Sequence, residues 1–78
     1  MYIDEKIKEM FKKLGKQIKE LREKQEMTTK ELAQKTGIRK VYLEKIEDGT
    51  AYGVRMEKHL LKISKGLGVN FYQLFDFE

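Results

Sequence analysis

The segment from Thr28 to Gly49 constrains this chain more than any other. Thr28 and Glu31 have the spacing of a capping box. The Thr hydroxyl accepts from the N–H of residue 31, and the Glu carboxylate accepts from the N–H of Thr28. Two amides that lack intrahelical partners are then satisfied. A helix started there sets Leu32 and Thr36 on one face. Ala33 beside them is small enough for a neighbouring helix to approach closely. Gly37 falls just past the last turn, where a left-handed residue ends a helix without a Cβ clash. A second helix over 40–48 puts Leu43 and Ile46 on one face, with Val41 and Tyr42 at its sides, and Gly49 marks its end. The segment therefore predicts two short helices joined by a tight turn, with basic residues on the outer side of the second.

The rest of the chain reads as helical support. Ile3, Ile7, Met10, Phe11, Leu14, Ile18 and Leu21 keep helical spacing, which predicts a long first helix ending near Glu26-Met27. Gly15 interrupts that run at a cost of about 1 kcal/mol without having to break it. Further helices are predicted over 29–36, 40–48, 56–66 and 70–75. Gly66 and Gly68 close the fourth, and Asn70 is a good cap for the fifth. No strand alternation, internal repeat or low-complexity tract is visible. Pro is absent, so boundaries rest on caps and Gly.

Composition narrows the function classes. Seventy-eight residues make one small domain. A chain of that size buries only ~60% of its unfolded surface, so its core must be efficient. With no Cys there is no disulfide and no thiolate metal site. No apolar run approaches the roughly 20 residues that span a bilayer, and the first residues lack a secretory apolar core. The expected location is cytoplasmic, with no membrane partner. An enzyme is not expected: there is one isolated histidine, His59, no Cys and no Gly-rich phosphate loop. No cofactor or metal site is expected either, and His59 reads as a surface or half-buried structural residue. The net charge of +4, from 17 basic and 13 acidic residues, gives moderate attraction to phosphate. Placement therefore matters more than total charge.

Taken in order, Thr-x-x-Glu-Leu-Ala at 28–33, Gly37, Ile38, Leu43, Ile46 and the Ile46-Glu47-Asp48-Gly49 ending resemble the phage-repressor type of helix-turn-helix, the lambda-repressor-like or xenobiotic-response-element type. Leu14–Arg22 looks like that family's first helix, and Leu61–Phe75 like its fourth and fifth, so the resemblance covers roughly 13–75. It implies an all-α, compact five-helix DNA-binding domain. Here that domain would comprise a helical extension over 1–12, a family-like core over 13–75 and a tail over 76–78. It also implies a sequence-specific regulator, a repressor binding an inverted-repeat operator as a homodimer, with its third helix in the major groove.

The resemblance assigns residues to tasks. Phosphate contacts would come from the helix starts at Thr28 and Thr29 and from Lys30 and Arg39. Base-edge contacts would come from Lys40, Val41 and Lys45, with Glu44 as a further candidate. Val41 suits a thymine methyl, and the two lysines suit guanine O6 and N7. Tyr42 either packs against neighbours of the third helix or offers its hydroxyl to a phosphate. Tyr52 and Arg55 either reach the DNA backbone or belong to a solvated loop. Arg22 and Glu47 occupy positions that form a partly buried salt bridge in the family. The chain departs from the common pattern at three reading positions. Thr29 stands where many members carry Gln, Arg39 where they carry Ser or Thr, and Glu44 where they carry Ser or Gln. Arg39 is also a poor N-cap.

The apolar surplus at the two ends has two readings. Ile3, Ile7, Met10 and Phe11, with Phe71, Phe75 and Phe77, form a dimer interface, or the extra turns fold back over the protein's own aromatic tail. The partners expected are double-stranded DNA and a second copy of the chain. The alternative is a protein-interaction module, an antitoxin-like partner that uses the same fold to hold another protein.

Overall fold

A computed structural model describes residues 4–51 and 55–77. They form α1 (Glu5–Lys24), α2 (Thr29–Thr36), α3 (Lys40–Asp48) and α4 (Met56–Leu67), followed by a 3-10 helix (Phe71–Phe75). The described residues contain no strand, in keeping with an all-α fold. Ile3 and Tyr52, named above as candidates, lie outside the described residues.

The expected fifth α-helix is corrected: four α-helices are present, and the last element is a 3-10 turn. Five residues are too few to offset the cost of an α-helical nucleus. The tighter turn is instead fixed by local bonds. Asn70 Oδ1 accepts from the N–H of Tyr72 at 3.0 Å, and Gln73 Oε1 accepts from the N–H of Asn70 at 2.8 Å. The N–H of Gln73 donates to the carbonyl of Asn70 at 2.9 Å, the i→i+3 bond of a 3-10 helix.

The first helix is long, as its apolar spacing predicts, and Asp4 caps it by accepting from the N–H of Lys6 at 2.9 Å. It ends at Lys24, earlier than expected. The N–H of Glu26 donates to the carbonyl of Glu23 and that of Met27 to the carbonyl of Arg22. These are the paired bonds of a Schellman ending. Glu26 itself takes the left-handed position, with φ of 54°.

The core lies where the four α-helices meet. Leu14 and Ile18 from α1, Leu32 from α2, Leu43 and Ile46 from α3, Ile63 from α4 and Leu74 are fully buried. Each such side chain contributes about 1.5–3 kcal/mol relative to exposure. Two polar side chains stitch the ends of elements together. Gln25 Nε2 donates to the carbonyl of Leu67 at 2.6 Å, and Gln17 Nε2 to the carbonyl of Gln73 at 2.9 Å. The second bond holds the 3-10 helix against α1. Phe11, Phe71 and Phe77 rest against this core, whereas Ile7 and Met10 on α1 and Phe75 near the C-terminus stay exposed, at 45%, 41% and 39%.

Candidate nucleic-acid interface

The start of α2 is built as its sequence predicts. The N–H of Glu31 donates to Thr28 Oγ1 at 3.1 Å, and the N–H of Thr28 donates to Glu31 Oε1 at 3.0 Å. Those bonds to Thr28, aided by Lys35, hold the Glu31 carboxyl below its ordinary pKa. Thr28 and Lys30 are exposed and Thr29 is half-buried.

The turn between α2 and α3 is fixed from both sides. Gly37 has φ of 74°, and its N–H donates to the carbonyl of Ala33 at 2.8 Å. Thr36 Oγ1 donates to the carbonyl of Leu32 at 2.8 Å and accepts from the N–H of Ile38 at 3.2 Å. The hydroxyl thus joins the last turn of α2 to the residue before Arg39. Arg39 is the N-cap of α3 and forms no side-chain cap bond, so the first amides of α3 are left for another partner.

Leu43 and Ile46 turn the inner side of α3 into the core. The opposite strip of that helix carries Lys40, Val41, Glu44, Lys45 and Asp48, all exposed. Val41 is 64% exposed, an apolar side chain in an otherwise polar strip. Tyr42 lies between strip and core. Its ring tilts against that of His59, with centroids 4.8 Å apart and planes at 58°. Arg55 is exposed at the start of α4.

The angle of α3 is set by an ion pair with α1. Arg22 Nε donates to Glu47 Oε2 at 2.8 Å, and its Nη2 donates to Glu47 Oε1 at 3.0 Å. The third arm of the guanidinium donates from Nη1 to the carbonyl of Met27 at 2.7 Å. Both charged side chains are nearly buried, at 10% and 6% exposure. The Glu47 hydrogen bond raises the pKa of Arg22 further, against the opposing effect of burial. The same guanidinium therefore fixes α3 and the ending of α1.

Three basic residues join this surface without having been singled out for it from the sequence. Lys19, three residues before Arg22 on α1, lines a cavity with Thr29, Glu44 and Asp48. His59 and Lys62 line another with Arg39 and Tyr42. The signals were their helical offsets from Arg22 and Arg55. Among the described residues, no cluster of His, Cys, Asp and Glu could hold a metal ion, and no helix is long and apolar enough to cross a membrane.

The family model for the Cro/C1-type helix-turn-helix DNA-binding domain matches residues 17–78. Among solved structures, the chain is similar to the restriction-modification controller protein C.AhdI from Aeromonas hydrophila. Identity is 25%, over 83% of this chain and 96% of that one, with a TM-score of 0.76. It is also similar to a transcriptional regulator of the HTH_3 family from Vibrio cholerae. There identity is 29%, over 88% of this chain and 38% of that one, with a TM-score of 0.79. No curated protein sequence matches it. A capped α2, a left-handed turn at Gly37, an α3 with an exposed polar strip and a family match over most of the length lead to one assignment: the chain belongs to the Cro/C1-type helix-turn-helix DNA-binding domain family.

Proposed function

We propose that the protein is a sequence-specific transcriptional regulator, a repressor that binds an inverted-repeat operator as a homodimer with α3 in the major groove. The observation that carries this reading is the outer strip of α3. Lys40, Val41, Glu44 and Lys45 stand exposed on a helix whose opposite side is locked into the core. Lys40 and Lys45 donate to guanine O6 and N7, Val41 meets a thymine methyl, and Glu44 accepts from a cytosine amino group. Thr28, Thr29, Lys30, Arg39 and Arg55 contact phosphates and set the register. The likeness to a transcriptional regulator of the HTH_3 family supports a role in control of transcription.

The dimer would use the exposed Ile7 and Met10 of α1 and Phe75 of the tail. Apolar exposure on two elements that touch each other is what an isologous interface needs. The same exposed residues favour the alternative reading, a module that holds another protein.

Selection of bound duplexes from a random pool tests the main reading. The expected result is an enriched inverted repeat whose binding weakens steeply with salt. A pool that stays random after repeated rounds would overturn it.

A further inference from the structure

α4 carries basic groups that base reading leaves without a task. Arg55, His59 and Lys62 recur at helical spacing and so share one side of that helix. Across from them lie the turn after α2 and the first turn of α3. Between the two is a cavity of about 310 Å³ lined by Gly37, Ile38, Arg39, Tyr42, His59 and Lys62. Two permanent cations line it, and no carboxylate does among the described residues. Tyr42 holds the His59 ring in place by its tilted contact. His59 Nδ1 is buried without a hydrogen-bond partner among the described residues. Arg39 and Lys62, two like charges lining one cavity, make an unfavourable arrangement that an anion between them would relieve.

We propose that this cavity is a seat for a phosphate group, filled by a backbone phosphate of the bound duplex and held by Arg39, Lys62 and the His59 ring. The proposal rests on the DNA-binding reading above. A phosphate oxygen accepts from a guanidinium, an ammonium and an imidazolium alike, and each such bond is charge-assisted. The seat lies beside α3 and not on its reading strip, so it fixes depth and tilt of the helix and carries no base preference.

The seat makes binding proton-linked. The groups facing His59 are Lys62 and Arg55 from α4 and, on the α3 side, Tyr42 and Arg39. Among the described residues, the α2–α3 turn contributes only Gly37 and Ile38. Burial, then Lys62 and Arg55, hold the free His59 below its ordinary pKa. An arriving phosphate reverses the local sign and raises it. A group whose pKa rises on binding takes up a proton, so affinity increases as pH falls through the window between the free and bound values.

His59 is the chain's single histidine, so its ring protons report without ambiguity. They are followed by NMR through a pH titration of the free protein, of the protein with inorganic phosphate, and of the protein on its selected duplex. The expected result is a raised His59 pKa on the duplex and a smaller rise with inorganic phosphate. Lys62→Ala, at an exposed position, should lower affinity for all duplexes alike by about fivefold and reduce the salt slope by about one. A rise with inorganic phosphate and none on the duplex would overturn the backbone assignment and leave a free-anion seat. No rise with either would overturn the seat itself. Should the wild type bind no duplex at all, the DNA-binding reading fails, while the inorganic phosphate titration still decides the seat.

Discussion

Gly15 on α1 lies directly on the backbone of α3, so that a Cβ built there would overlap the carbonyl oxygen of Ile46 and stand 2.5 Å from that of Glu47. The same crossing repeats three residues earlier. A Cβ on Gly49 would come within 2.6 Å of the Cα of Lys12, and Gly49 also needs its φ of 77° to end α3. Two glycines therefore let α1 and the C-terminal end of α3 touch backbone to backbone. Gly15→Ala should gain about 1 kcal/mol in helix propensity yet lose more, because rigid backbone must move. The expected net change is a destabilisation of about 1–3 kcal/mol, read from the midpoint of urea unfolding. A variant as stable as the wild type would show that α1 and α3 can separate freely.

The Arg22–Glu47 pair should behave as an orienting device. Arg22→Met leaves a nearly buried carboxylate without its partner and should cost about 3–5 kcal/mol. Joining it to Glu47→Leu removes both charges and should restore much of that loss, while the carbonyl of Met27 stays short of a donor. A double-mutant cycle by denaturation measures the coupling. Operator affinity should remain reduced in the double variant, because α3 is no longer held by a two-pronged bond. Full recovery of both stability and affinity would make the pair dispensable for aiming the helix.

The capping box predicts a pH dependence. Glu31 has a folded-state pKa below its ordinary value, lowered first by the Thr28 backbone N–H, then by the Thr28 side chain and Lys35. Its contribution is therefore fully present above the ordinary Glu range and is lost as pH falls through the depressed folded value. Glu31→Gln should destabilise at neutral pH and converge on the wild type in acid. Thr28→Ala should cost about 1 kcal/mol at neutral pH. Thermal melts of both variants across an acid series check this, and a penalty for Glu31→Gln that stays constant down to the acid limit would contradict it.

Lys45 and Lys30 are assigned different tasks, and their alanine variants should differ accordingly. Lys45→Ala should weaken the preferred site by about 1–3 kcal/mol and relax one base-pair preference. Lys30→Ala should weaken binding to every sequence about equally, with a shallower salt slope. Competition binding with a panel of single-base operator variants separates the two. Equal, sequence-blind losses would mean that α3 does not enter the groove by the strip that carries Lys45.

Much of this architecture was legible because its signals are local. Thr28, Glu31, Gly37 and Gly49 mark helix ends through bonds made within a few residues, and the structure places α2 and α3 within the ranges those residues predict. The end of α1 was not legible, since a Glu at position 26 adopts the left-handed conformation that sequence reasoning expects of Gly or Asn. Gly15 was visible only as a helix weakness. Its purpose is a contact with a helix some thirty residues away, which helix propensity does not encode. The geometry of the last helix is not legible for the opposite reason: Asn70 is a true cap, but a cap does not say whether α or 3-10 geometry follows. On the interface, the outward lysines followed from periodicity. The cavity shared by Arg39, His59 and Lys62 did not, because it depends on how α4 lies against α3.

The last expectation concerns assembly. Ile7 and Met10 are exposed at 45% and 41% on the first turns of α1, although the apolar spacing that continues through Leu14 and Ile18 is buried further along. Phe11, next to Met10, already rests on the core, so the helix does not turn its remaining apolar side inward. In the proposed homodimer a second molecule covers Ile7 and Met10, and an isologous pair would bring each first helix against the partner's exposed α1 and Phe75. Two recognition helices related in this way should sit about 34 Å apart and read half-sites roughly ten base pairs apart. Ile7→Glu would bury an unpaired carboxylate in that interface and should abolish the dimer. Helical content should persist, because Leu32, Leu43, Ile46 and Ile63 lie elsewhere. Sedimentation of wild type and variant over a range of concentrations, with circular dichroism as the control for folding, decides the matter. A wild type that sediments as a monomer at high concentration would refute self-association through this surface.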